Sequence, residues 1–151
     1  MTIDGIDHDE FWMREALKEA WAALLEDEVP VGAVIVRDGS IVARAHNLSL
    51  QSSDPTQHAE VLALRLAQQE LGSLAGCTLY VTMEPCAMCA GAMVLMKLPR
   101  LVFGAFDPSC GCTGSKVDLT DHWFYHSVET WGGVLEQDCA ALLTDFFQRK
   151  R

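Results

Sequence analysis

No part of this 151-residue chain stays apolar for long: hydrophobic runs such as Val31 to Val36 and Leu79 to Val81 fall far short of the ~20 residues that span a bilayer. A basic leader followed by an apolar stretch is missing too, since Met1 to His8 is polar and acidic, so no secretion signal is expected. Basic residues are scarce. Against 21 Asp and Glu stand 11 Lys and Arg, a formal net charge of -10, with a pI near 4.7. A sequence-indifferent nucleic-acid binder carries a basic footprint because it must neutralise phosphates, and this composition argues against one. There is no repeat of 20 to 50 residues, no low-complexity tract and no linker rich in Pro, Gly or Ser. One domain over residues 1–151 is therefore expected.

What is present is an ordinary globular composition, 50% hydrophobic, in a chain of a size that buries roughly 68 to 70% of its unfolded surface. Six cysteines lie at 77, 86, 89, 110, 112 and 139. Without a signal peptide, and with enough chain to build a core, metal ligation or plain burial is expected of them rather than a disulfide framework, and cytoplasm is the expected compartment.

Met13, Ala16, Leu17, Ala20, Trp21 and Leu24 recur at spacings of three and four, which predicts an amphipathic first helix, with Asp7 and Glu10 as its start signal. Val29 to Val36 and Ile41 to His46 read as strands of an antiparallel hairpin turning at Arg37-Asp38-Gly39-Ser40. A polar stretch leads to a second helix from about His58, with Ala59, Leu62, Ala63, Leu66 and Ala67 as its buried stripe and Gly72 at its end. Cys77 to Thr82 predicts a strand, Cys86 to Lys97 a helix, Leu101 to Ala105 a strand, and about Asp138 to Arg149 a last helix; Val128 to Leu135 is weakly patterned. Alternating elements with one early hairpin imply an α/β layered fold with a mixed sheet.

Chemistry concentrates at His58-Ala59-Glu60 and at Pro85-Cys86-Ala87-Met88-Cys89, each opening a predicted helix. Zinc takes nitrogen and thiolate ligands in a tetrahedron, and a catalytic site leaves one of its four positions for water. His58, Cys86 and Cys89 supply three ligands, and a helix N-terminus favours the thiolate form. Bound zinc lowers the pKa of water toward ~7. Glu60 stands beside the metal without being needed as a ligand, as a proton shuttle must. Taken singly, His-x-Glu is commonly coincidence and Cys-x-x-Cys is equally a redox or structural-zinc motif; in order, at two helix starts, they point to one catalytic zinc ion per chain.

With these residues the sequence resembles the zinc nucleobase deaminases of the cytidine deaminase-like superfamily, and within it the bacterial tRNA adenosine deaminases. The resemblance runs through Glu28-Val29-Pro30-Val31-Gly32-Ala33-Val34, Asn47, Asp54 to Glu60, Leu79 to Met93, Val102-Phe103-Gly104-Ala105 and Cys139 to Phe147, nearly the whole chain from about Phe11. It implies a three-layer α/β/α fold with a mixed five-stranded sheet. It also implies hydrolytic deamination of the wobble adenosine of a tRNA anticodon to inosine, the base flipped into the pocket and a zinc-bound hydroxide as nucleophile. By the same resemblance Asn47 contacts the base and sugar, Val29 and Pro30 form the pocket wall, and the Glu84 and Pro85 backbone lies beside the metal. Asp107 reaches the ribose hydroxyl of the preceding nucleotide, a contact that distinguishes RNA from DNA, and Phe146 and Phe147 are the last-helix aromatics. It further implies a homodimer whose site for the anticodon stem-loop spans both subunits. From residue type alone, Asn47 reads as a turn former, Asp107 as a loop carboxylate before Pro108, and the phenylalanines as core.

The sequence departs from the family at Cys110-Gly111-Cys112, where relatives carry small non-cysteine residues, and at Leu95 and Met96, where they carry polar ones. A rival reading is a deaminase of the same fold acting on free guanine, cytosine or adenosine; Cys89-Ala90-Gly91-Ala92-Met93 and Phe103-Gly104-Ala105-Phe106-Asp107 favour the tRNA branch. A second rival, a non-catalytic zinc module, has no use for Glu60. The acidity is uneven: residues 1–28 hold nine acids and two bases (-7), and residues 29–151 twelve acids and nine bases (-3). Lys97, Arg100, Lys116 and the terminal Arg149-Lys150-Arg151 are then the residues expected to meet phosphates.

Overall fold

The computed structural model describes residues 2–3, 6–122 and 124–150. A short antiparallel pair, β1 (Thr2–Ile3) and β2 (Ile6–Asp7), leads into α1 (His8–Leu25), which starts directly after Asp7 and carries Asp9 and Glu10 in its first turn. Then follow β3 (Gly32–Arg37), β4 (Ser40–His46), α2 (Ala59–Leu71), β5 (Thr78–Met83), α3 (Ala87–Leu95), β6 (Arg100–Ala105), β7 (Glu129–Trp131) and α4 (Glu136–Arg149). The weakly patterned segment thus contributes one short strand. The main sheet has five strands in the order β4-β3-β5-β6-β7, with β3 antiparallel to both neighbours and β5, β6 and β7 mutually parallel. Helices α1 and α4 pack together on the sheet, and α2 packs on the sheet and against α3, which gives the three-layer α/β/α arrangement expected.

Local chemistry explains the turns. Asp38 and Gly39 both have positive φ (53° and 74°), the requirement of a type I′ hairpin turn. Gly32 opens β3 against α1, where any side chain would collide with the backbone of Ala16 and Ala20. That close approach is matched by small residues on the helix, whose buried positions are Met13, Ala16, Ala20 and Ala23. Trp21 was expected on this face and is instead 53% exposed: one residue beyond Ala20 is ~100° of rotation, which carries the ring past a contact made of alanines. The stripe expected on α2 is also rotated. Val61 and Leu64 are buried while Leu66 is 48% exposed; α2 packs against α3 as well as the sheet, so its buried arc is set by two neighbours. Ile35, Leu79, Val81, Leu101 and Val102 fill the central strands, in near-continuous apolar runs as strands covered on both faces require.

Helix ends set up the site. Asp27 takes a left-handed φ of 61°, its N–H bonding Leu24 O at 3.0 Å and the Glu28 N–H bonding Ala23 O at 2.9 Å. This is a Schellman closure, and it turns Glu28 into the interior. Gly72 ends α2 as expected, its N–H on Gln68 O.

The acids of α1 are largely paired. Arg100 forms two bonds to Asp9, at 3.0 and 2.8 Å, and the Tyr80 hydroxyl donates to the same carboxylate; the guanidinium holds Asp9 below the usual carboxylate range. Arg100 is therefore a structural cation and not a free phosphate contact. Arg44 of β4 bridges Glu15 and Glu19, and His46 donates from Nδ1 to Glu19 at 3.1 Å and from Nε2 to Glu26 at 2.9 Å. Lys150 pairs with Asp27 and Arg149 with Asp145, whereas Lys97 and Lys116 are exposed. Arg151 lies outside the described residues.

Partial burial of His46 works against its charge, but the bonds to Glu19 and Glu26 outweigh it and hold the imidazolium above its ordinary range. A raised folded-state pKa contributes stability that is full below the unfolded value of ~6.5 and is lost as pH rises through the folded value. His46→Gln is therefore expected to lower the unfolding free energy from urea titration at about pH 6, by less than about 1 kcal/mol, with a smaller deficit at about pH 9. An equal deficit at both pH values would show that the ion pairs are not what His46 contributes.

Candidate active site

Two helices begin at one point. His58 is the N-cap residue of α2 and Cys86 that of α3; both have extended backbone, and neither side chain makes a capping hydrogen bond. A Ser, Thr or Asp at either cap would turn inward onto the free N–H groups. Here the cap side chains face each other, and Cys89, one turn into α3 and fully buried, joins them.

The ligand atoms are His58 Nδ1, Cys86 Sγ and Cys89 Sγ. Their separations are 3.6 Å between Cys86 and His58, 3.5 Å between Cys89 and His58, and 3.9 Å between the two sulfurs. A tetrahedral zinc ion with Zn–S of ~2.3 Å and Zn–N of ~2.0 to 2.1 Å requires ligands ~3.8 Å apart for two sulfurs and ~3.6 Å for sulfur and nitrogen. The donor set and its spacing thus fit zinc. Hydrogen bonding from Cys89 and the His58 ring holds the Cys86 thiol down to about 3, so a thiolate is ready to ligate. Burial pushes the Glu60 carboxyl up; it sits in the first turn of α2, 4% exposed, two residues after His58. A neutral or proton-sharing carboxyl beside a metal is the electrostatic setting of a general acid and base.

The other residues singled out from sequence fall into three groups. Asn47 is buried at the end of β4, its N–H on Val31 O, and the turn it starts is closed by Leu48 N–H on Gln57 O, next to His58. Val29 is half-buried and Pro30 buried in the segment leading to β3. Asp107 is half-buried, and its Oδ1 accepts from Ser109 N, Ser109 Oγ and Cys110 N.

Glu84 and Phe146 both turn into the fold. The Glu84 side chain is 3% exposed and accepts from Asp107 N at 3.0 Å, Thr113 N at 3.3 Å, Ser115 N at 2.9 Å and the Ser115 hydroxyl. Gly111 lies so close that any side chain there would strike this carboxyl, which explains a glycine between Cys110 and Cys112. Phe146 is 3% exposed, on the inner face of α4, while Phe147 is 49% exposed, because the helical period puts Cys139, Leu142, Leu143 and Phe146 on one side. None of the six cysteines forms a disulfide. Sequence reasoning missed Ser115, Thr113 and Ser49 as partners of buried carboxylates, and nothing in their local pattern marks them.

A family model for the cytidine and deoxycytidylate deaminase zinc-binding region matches residues 6–105. The tRNA-specific adenosine deaminase of Bacillus subtilis (strain 168) is 49% identical over 146 residues, covering 95% of this chain and 91% of that protein. A structure solved in studies of A-to-I editing by tRNA:A34 deaminases at the wobble position of transfer RNA superposes with a TM-score of 0.82 at 40% identity, over 88% of this chain and 99% of that one. A Bacillus subtilis guanine deaminase matches less of the fold, with TM-score 0.62 and 38% identity over 67% of this chain and 66% of its own. With ligand geometry, topology and sequence in agreement over most of its length, the chain belongs to the zinc-binding cytidine and deoxycytidylate deaminase family, within its group of tRNA-specific adenosine deaminases.

Proposed function

We propose that the chain is a single catalytic domain that deaminates the wobble adenosine of a tRNA anticodon to inosine. The observation that carries the reading is Glu60, buried two residues after His58, together with three converging donors that fit zinc, one fewer than the four of a tetrahedral site. His58, Cys86 and Cys89 hold the ion, which when bound supplies the acidity that makes water a nucleophile at neutral pH. Overall, water adds at C6 of adenine, the C6–N bond breaks, and ammonia leaves. Glu60 takes one proton from the attacking water and delivers it to the ring nitrogen, then takes the second from the hydroxyl added at C6 and delivers it to the amine, which leaves as ammonia. A carboxyl whose proton affinity is raised by burial suits both transfers.

Asn47 orients the base and sugar, and Val29 and Pro30 wall the pocket. Asp107 uses Oδ2 for the ribose hydroxyl of the preceding nucleotide, since Oδ1 is occupied by its own turn. Phosphates are met by Lys97 and Lys116 rather than by Arg100. The enzyme acts in the cytoplasm as a homodimer whose RNA site spans both subunits; the exposed apolar residues Leu66, Met88 and Leu95 on α2 and α3 support a partner there. Among the described residues no helix is long and apolar enough to cross a membrane.

Zinc-loaded protein is expected to form inosine in an anticodon stem-loop with adenosine at the wobble position and to leave free guanine and cytosine unchanged; the opposite pattern would overturn the assignment in favour of a free-base deaminase. Glu60→Ala should lower turnover at least about a hundredfold while about one zinc ion per chain remains bound. Near-parent activity in that variant would remove Glu60 from the proton path. Cys86→Ala should lose the ion itself, read as metal content of the dialysed protein, and full zinc occupancy would refute the ligand set.

A further inference from the structure

Outside the metal cluster the least expected group is Glu28. It is fully buried, and among the described residues it belongs to no ion pair. A buried carboxylate must be met by donors or it destabilises the fold. Here the donors come almost entirely from the segment that follows β4. Leu50 N–H donates to Oε1 and Oε2 at 3.0 and 3.1 Å, and Gln51 N–H to Oε2 at 3.0 Å. Ser49 Oγ donates to Oε1 at 3.3 Å, with Val29 N and Asn47 Nδ2 at its margin, at 3.4 and 3.5 Å. Asn47 Nδ2 also donates to Ser49 Oγ, at 2.9 Å.

The direction of this chain of bonds follows from proton counting. Ser49 has one hydroxyl proton, which goes to Glu28, so its oxygen is left to accept from Asn47. Reversing the Asn47 amide would set Oδ1 against the lone pairs of Ser49 and the carboxylate of Glu28. We propose that Glu28, through Ser49, is a positioning residue that fixes which way the Asn47 amide faces and thereby aligns the flipped nucleotide with the zinc cluster. The proposal rests on the reading of Asn47 as the substrate-orienting residue. It extends that reading from one side chain to a relay anchored in the Schellman turn of α1, where Glu28 is locked by its own backbone bond to Ala23.

Ser49→Ala cuts the relay while leaving the bonds of Leu50 and Gln51 to Glu28 in place. With zinc-loaded full-length protein and the anticodon stem-loop as probe, it is expected to raise KM by about 3- to 10-fold, with kcat within about 2-fold and thermal midpoint and zinc content near parent. Ser49→Thr, which keeps the hydroxyl, should restore KM. Glu28→Gln, which turns an amide N–H2 toward its former donors, should raise KM further. The deciding measurement is a double-mutant cycle in single-turnover mode with enzyme in excess: Ser49→Ala should have no added effect in an Asn47→Ala background. If KM ignores Ser49→Ala, or if its effect is undiminished when Asn47 is already gone, the hydroxyl is merely structural and the relay is wrong. Inactivity of the parent protein on the stem-loop would instead bring down the functional reading, and the relay with it.

Discussion

Two helix N-termini must lie within ligand reach of each other, and the rest of the molecule serves that meeting. A helix start presents unsatisfied N–H groups and the positive end of a dipole, which draws anionic side chains and stabilises thiolates. Most helices resolve this with a capping oxygen. In α2 and α3 the cap positions are His58 and Cys86, whose side chains leave their own helices and converge with Cys89. The parallel arrangement of β5 and β6 with α3 between them, and the docking of α2 on α3, bring the two starts together.

Around this centre the chain uses buried carboxylates to shape irregular segments. Glu28 gathers the 47–51 turn and Glu84 the 107–115 loop, each through several backbone N–H donors and a serine hydroxyl. Hydrogen bonds to a charged acceptor are about twice as strong as neutral ones, so one carboxylate can order a loop that buries little apolar surface. Loops must supply the substrate contacts of such a site, and a loop without a core of its own needs this kind of fastening.

The strong acidity of residues 1–28 has a structural use. Glu15, Glu19 and Glu26 project from α1 and its C-terminal turn toward Arg44 and His46 on β4, and Asp9 takes Arg100 from β6. The first helix is thereby fastened to both an edge and an inner strand of the sheet. This pairing also reduces the cations available for phosphate, since Arg100 and Lys150 are engaged. Recognition of RNA then falls to shape and to a few nucleotides rather than to a broad field.

Elements whose signal is local were legible from the chain alone: the periodic first helix, the Asp38-Gly39 hairpin, the end of α2 at Gly72, and the paired metal motifs. Spacing of two residues in Cys86-x-x-Cys89 and the position of Glu60 after His58 determine which groups share a helix face whatever the rest of the fold does. Packing partners are not local, and tertiary structure decided what depended on them. It exposed Trp21 and Leu66, enclosed Phe146, and turned Glu84 and Glu28 inward. Whether a side chain is core, surface or anchor depends on what arrives from elsewhere in the chain. Only folding supplied Ser115 to Glu84 across 31 positions and Leu50 to Glu28 across 22.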